Sequence, residues 1–258
     1  MQNNDKPLIL ISNDDGVHAA GIRALAEVAS GFGEVVIVAP ERGNSGKSHA
    51  VTLTEPLRLL EVKPIAGATT YAVTGTPVDA MKMAVGNILE KEPDLVLSGI
   101  NHGSNAAINV IYSGTMAAAV EGAMLSIPSI GFSLTNHSPN ADFTAAKIYV
   151  RKIIENVLEN GMAAYTCLNV NIPDVAAEDI RGLRVCRQAR GVWRDGFIKR
   201  THPAGFDYYW MSGNFHNFDP EDEMTDEWAL RNNYVSVVPV HVDMTNHHAM
   251  STLKSMEE

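Results

Sequence analysis

Asn13-Asp14-Asp15-Gly16 sets two carboxylates side by side, directly after the apolar run Leu8-Ile9-Leu10-Ile11. Adjacent like charges repel and raise one another's pKa, so the pair is costly unless something offsets it. A divalent cation does so. Carboxylate oxygens are hard ligands, suited to Mg²⁺, Mn²⁺ or Ca²⁺ rather than to a soft metal. Taken by itself, the tetrapeptide equally suits a polar turn with both side chains in water.

Two further polar segments carry chemistry of this kind. One runs from Pro40 through Glu41-Arg42-Gly43-Asn44-Ser45-Gly46-Lys47-Ser48 to His49. Its Gly46-Lys47-Ser48 imitates the end of an NTPase phosphate loop, but that motif requires glycine where Glu41 stands and a helix afterwards. The alternation of Ser48–Thr54 predicts a strand instead, so the NTPase reading is rejected. Lys47 is left as a candidate anion contact. The other segment reads Ile100-Asn101-His102-Gly103-Ser104-Asn105 and continues to Tyr112-Ser113-Gly114-Thr115, just ahead of the Ala-rich stretch from Met116. Ser113 is the expected N-cap of a helix, with Gly114 permitting close backbone approach. The first amides of a helix lack internal partners and lie at the positive end of its dipole, so such a start can hold phosphate. Plain capping by Ser113 is compatible with that role. His18, His49 and His102 flank these loops without zinc-helix spacing, and are expected to support neighbours or face solvent.

The elements that must position these loops follow from the apolar pattern. Short buried strands are expected at Leu8–Ile11, Val35–Ala39, Leu95–Gly99, Ser129–Ser133 and Cys167–Ile172, with further strands at Val51–Thr54, Leu57–Val62, Tyr71–Thr74 and Tyr234–Val240. Helical spacing predicts helices at Gly21–Val28, Val78–Leu89, Ser113–Leu125 and Ala141–Leu158. Strands alternating with helices imply an α/β fold, its mostly parallel sheet covered on both faces. In such a sheet ligands bind beyond the carboxyl ends of the strands, and all three polar loops leave strands at that edge. The cation reading of Asp14 and Asp15 gains accordingly. After Val185 the chain turns aromatic and polar, with Trp193, Phe197, Phe206, Tyr208, Tyr209 and Trp210, and hairpins are expected.

Composition removes several classes. The 258 residues are 45% hydrophobic and 19% charged, which is ordinary for one globular unit. A formal net charge of -10 disfavours nucleic-acid polymers and anionic membrane surfaces. Two cysteines, Cys167 and Cys186, give no disulfide framework. No signal-peptide pattern and no membrane-length apolar run is present, so a cytoplasmic protein is expected. No G-x-G-x-x-G follows the first strand, and carboxylates there would repel a pyrophosphate, which argues against a dinucleotide oxidoreductase.

Four segments in order resemble the SurE family of stationary-phase survival 5'-nucleotidases. They are the strand with Asn-Asp-Asp-Gly, the Ala39-Pro40 loop with Ser45-Gly46, the turn Gly75-Thr76-Pro77-Val78-Asp79, and the run Ser98-Gly99-Ile100-Asn101-x-Gly103-x-Asn105 to Tyr112-Ser113-Gly114-Thr115. The resemblance implies a Rossmann-like three-layer fold whose catalytic core spans 1–185. Residues 186–258 would form an extension with a hairpin and a final strand, part of the same unit and used in oligomerisation as a homodimer or homotetramer. It implies one divalent metal, Mg²⁺ or Mn²⁺, held by Asp14, Asp15, Ser45 and Asn101. It places the phosphate on Asn105, Ser113, Gly114 and Thr115. The catalytic candidates are Asp14 and Asp15: Asp15 to orient or deprotonate the attacking water or to serve only as a ligand, Asp14 alternatively as a covalent nucleophile. The implied reaction is hydrolysis of nucleoside 5'-monophosphates, extending to 3'-nucleotides or short polyphosphate. A non-catalytic metal or nucleotide sensor is the alternative on the same fold. Asn109 stands where an acidic residue is usual in the family, and Met116-Ala117 replaces a glycine-containing sequence.

Overall fold

Leu8–Ser12 (β1) is buried at every residue, and its side chains split by alternation. Ile9 and Ile11 enter the largest hydrophobic cluster and Leu8 and Leu10 another, so β1 is covered on both faces. The computed structural model describes residues 6–257. In it β1 pairs in parallel with Glu34–Pro40 (β2) on one side and Leu95–His102 (β5) on the other. Outward from β2 lie Ala68–Val73 (β4), parallel, and then Leu59–Ile65 (β3), antiparallel. Outward from β5 lie Ser129–Leu134 (β6) and Thr166–Ile172 (β7), both parallel. Val235–His241 (β11) then runs antiparallel on β7, with Leu183–Val185 (β8) beyond it. The nine-stranded order is β3-β4-β2-β1-β5-β6-β7-β11-β8.

Helices complete the three layers. Ala20–Ala29 (α1) packs with Thr144–Asn160 (α5) over one face, and Pro77–Met83 (α2) packs with Gly114–Met124 (α4) over the other. Gly21 lets α1 lie directly on β5, since a Cβ there would sit 1.9 Å from the Ile100 carbonyl oxygen. The chain moves from β1 to β2 on one side and reaches β5 on the other. The carboxyl end of β1 is therefore a topological switch point, where open α/β sheets bind ligands. Short helices occur at Asn109–Tyr112 (α3), Asp226–Arg231 (α6) and His247–Leu253 (α7). Gly191–Thr201 (β9) and Asp207–Asn217 (β10) make a separate two-stranded hairpin.

The α/β architecture, the mostly parallel sheet and the hairpin agree with the sequence expectation. Val51–Thr54 does not, because it joins no ladder. The Thr52 amide, which a strand would spend on a neighbour, goes to the Asp79 carboxylate at 3.0 Å, and the Thr52 hydroxyl follows it at 2.6 Å. The helix expected over Val78–Leu89 is α-helical only to Met83 and continues as a π-helical turn over Ala84–Ile88. The fifth helix starts at Thr144, since the Asp142 carboxylate takes the Thr144 amide at 2.9 Å and holds the preceding residues in a turn. Cys167 and Cys186 are both free and buried. Among the described residues no helix is long and apolar enough to cross a membrane.

Candidate active site

The turn after β1 is closed by the Asn13 side-chain amide, which donates to the Gly16 carbonyl at 2.9 Å. That turn sends Asp14 inward, 3% exposed, against the start of α4. The Thr115 hydroxyl donates to Asp14 Oδ1, and the Gly114 amide also favours that carboxylate. Gly114 is required for this approach, because a Cβ there would stand 2.7 Å from the Asp14 Cβ. Burial pushes the Asp14 carboxyl up to about 6, Asp15 adds repulsion, and Thr115 opposes both. Asp15 is half-buried, and burial lifts its carboxyl too. The His102 amide, donated to Asp15 Oδ2 at 3.1 Å, and the nearby His102 and His137 rings offset that rise.

Asn101, near the end of β5, is buried and donates its Nδ2 to the Gly103 carbonyl at 2.7 Å. Among the described residues its side-chain oxygen has no hydrogen-bond donor. Asp14, Ser45, Asn101, Asn105 and Ser113 line one cleft. Asp15, Gly114 and Thr115 are not part of its lining. Thr115 is fully buried, with its hydroxyl committed to Asp14, so it supports that carboxylate from behind the cleft. Ser113 caps α4 as expected, its Oγ accepting the Met116 amide at 3.0 Å. Lys47 turns away and donates to Asn44 Oδ1 at 2.8 Å. His49 bonds Glu121 at 2.7 Å, and the His102 ring packs edge-on against Phe143.

The donor chemistry fits one hard divalent cation. The Asp14 carboxylate, the Asn101 amide oxygen and the Ser45 hydroxyl face one cleft from the ends of three neighbouring strands, with the Asp15 carboxylate next to Asp14 in the chain. Among the described residues no three His, Cys, Asp or Glu side chains are arranged to hold a metal ion by themselves, which is unlike a zinc site and consistent with carboxylates joined by neutral oxygens.

Asn105 is held by a buried amide network at the ends of β6 and β7. Its backbone amide donates to Asn171 Oδ1 at 2.7 Å, its Nδ2 to Ser133 Oγ at 2.9 Å, and its carbonyl accepts Asn169 Nδ2 at 2.8 Å. Sequence reasoning passed over these partners, although two asparagines alternating inside the apolar Leu168–Ile172 segment were a visible signal. It also missed Phe215, His137 and Glu227 as cleft residues. No local pattern marks Glu227.

Together these features define a Rossmann-like α/β protein whose switch-point cleft sets carboxylate, amide and hydroxyl oxygens beside the start of a helix. The chain belongs to the family described as Survival protein SurE, whose model matches residues 9–195. It is 51% identical to the 5'-nucleotidase SurE of Flavobacterium psychrophilum, with 98% of each chain aligned. It is 45% identical to the 5'-nucleotidase SurE of Phocaeicola vulgatus, with 97% of each aligned. The crystal structure of the SurE protein from Aquifex aeolicus superposes with a TM-score of 0.84 at 40% identity, covering 98% of this chain and all of that one.

Proposed function

We propose that this chain is a metal-dependent 5'-nucleotidase, a phosphatase that hydrolyses nucleoside 5'-monophosphates to nucleoside and phosphate. One observation carries the reading: Asp14, Ser45 and Asn101 open onto the same cleft as Ser113 at the start of α4. The relatives named 5'-nucleotidase SurE, aligned over nearly the whole chain, support it. Asp14, Asp15, Ser45 and Asn101 are assigned to one Mg²⁺ or Mn²⁺. When bound, that cation neutralises charge growing on a phosphate oxygen.

The remaining work falls to the chain. Thr115 fixes Asp14, the His102 amide fixes Asp15, and the Gly103 carbonyl aims the Asn101 oxygen. Asn105 and Ser113, which line the cleft, are assigned to the other phosphate oxygens, with the positive end of the α4 dipole behind them, while the Gly114 amide serves Asp14. Water attacks phosphorus in line and the bond to the 5'-oxygen breaks. The proton lost by water ends on the nucleoside hydroxyl. Asp15 is assigned to orient and deprotonate that water: Asp14 takes both the Thr115 hydroxyl and the Gly114 amide, whereas Asp15 takes the His102 amide on Oδ2 and keeps Oδ1. The chain is further proposed to act as a homodimer or homotetramer, built through the hairpin, in the reducing cytoplasm that its two free cysteines suit.

Hydrolysis of AMP with and without EDTA tests the reading. Activity is expected to vanish in chelator and return with Mn²⁺ or Mg²⁺. Asp15→Asn is expected to lose at least about a hundredfold in kcat. Full activity in EDTA, or in Asp15→Asn, overturns it. Tight AMP binding without turnover would make the protein a sensor instead.

A further inference from the structure

The cleft has a second wall that the phosphate chemistry leaves unused. It is formed by Asn109 of α3, Trp193 of β9, Phe215 of β10 and Glu227 of α6. The Trp193 indole is fixed, its Nε1 donating to Asn109 Oδ1 at 2.8 Å. Phe215 stands beside it, ring centroids 6.0 Å apart and tilted by 57°. The Phe215 ring lies over bare Gly191, where a Cβ would come within 2.4 Å of its tip. Asn109 thereby holds an aromatic ring at the mouth of the cleft.

Glu227 is half-buried, and its carboxylate takes no hydrogen bond or ion pair among the described residues. Burial, then the neighbouring Asp226 charge, hold that carboxyl above its ordinary range, as expected of an acceptor short of donors. The wall is not loose. Fully buried Asp226 takes the Ala107 amide at 2.8 Å, the Ala189 amide at 2.8 Å and the Glu227 amide at 2.9 Å. It thus fastens the loop that carries Asn105 to the base of the hairpin and to α6. A wall held this way costs little ordering when a ligand arrives.

We propose that this wall is the nucleoside subsite: Trp193 and Phe215 take the face of the base, and Glu227 accepts hydrogen bonds from the ribose hydroxyls. An aromatic face suits any base, whereas an unpartnered carboxylate selects for the sugar that brings donors. The inference rests on the phosphatase reading and extends it, making the protein selective for ribonucleotides over 2'-deoxyribonucleotides and over sugar phosphates without a base.

The experiment compares kcat/KM of the full-length, Mn²⁺-loaded enzyme on AMP, dAMP and ribose 5-phosphate. In Trp193→Ala the ratio of AMP to ribose 5-phosphate is expected to fall about tenfold. In Trp193→Phe, which keeps a stacking face, that ratio is expected to stay within about twofold of wild type. In Glu227→Ala the ratio of AMP to dAMP is expected to fall about fivefold. Wild-type ratios retained in both alanine variants overturn the subsite and leave the phosphatase standing. If the wild-type enzyme hydrolyses none of the three esters, the phosphatase reading falls and takes the subsite with it.

Discussion

Asp14 shows at single-residue scale what the site costs the fold. Its carboxyl is pushed up to about 6 from 3.8, chiefly by burial, so the folded state favours the protonated form. Stability contributed by that preference is full below the unfolded value and is lost as pH rises through about 6. In metal-free protein Asp14→Asn is therefore expected to be more stable than wild type at about pH 7.5, by on the order of 1–3 kcal/mol, and equal to it at about pH 4. The asparagine can still accept the Thr115 hydroxyl, so packing is kept while activity is lost. Urea unfolding in EDTA at the two pH values checks this, and an asparagine variant less stable at both would contradict it. The same proton competes with the cation, so Mn²⁺ affinity measured by calorimetry is expected to fall steeply below about pH 6. Asp14 and Asp15 were legible in the sequence because their oddity is local, two carboxylates ending an apolar strand. Glu227 was not, because its significance comes only from folding α6 against a loop more than a hundred residues earlier in the chain.

Elements tell a similar story of local and distant causes. The strands around β1 were legible because apolar runs report burial directly. Val51–Thr54 misled because alternation is only a surrogate for pairing. Leu53 is 86% exposed, and Thr52 gives both its amide and its hydroxyl to Asp79. Asp79 also completes a capping box with Thr76 at the start of α2, its carboxylate taking the Thr76 amide at 2.8 Å. The Gly75–Asp79 turn, noticed for its resemblance, thus works as a clamp on the loop that carries Ser45. Glu121 is the other clamp. This α4 residue binds His49 at 2.7 Å and Lys82 of α2 at 2.8 Å. Burial opposes its charge, but the two partners overcome it and hold the carboxyl below its ordinary range. Losing that charge frees His49 at the end of the Ser45 loop. Glu121→Gln is therefore expected to weaken Mn²⁺ binding by about fivefold while leaving the fold intact. Mn²⁺ titration together with far-ultraviolet circular dichroism checks this, and unchanged affinity would reduce the cluster to a structural role.

The whole molecule presents one region that its own body does not explain. Among the described residues β9 and β10 pair only with each other, and an isolated two-stranded hairpin is marginally stable in water. Its outer part nevertheless carries Phe197, Trp210 and Met211, which are 66%, 62% and 71% exposed, beside Tyr209. An exposed apolar patch of this kind marks an association surface, and on a chain of net charge -10 an anionic polymer is a poor occupant. A second copy of the chain is the simplest cover, with the apolar arm supplying a contact that charge repulsion opposes. Light scattering at micromolar concentration is expected to give a mass of two or four chains. The double variant Phe197→Asp with Trp210→Asp is expected to shift it to one chain. The consequence reaches the active site, because the base of this hairpin carries Trp193 and Phe215. If a second copy orders the arm, it adds to the Asp226 contacts that hold the aromatic wall at its base. An arm released into water moves, and the ordering cost returns at each binding event. The monomerised variant is therefore expected to raise KM for AMP about threefold to tenfold with kcat nearly unchanged, since the carboxylates, Asn101 and the start of α4 lie outside the hairpin. A wild-type mass of one chain would sink the association. Unchanged KM in a confirmed monomer would separate the arm from the site.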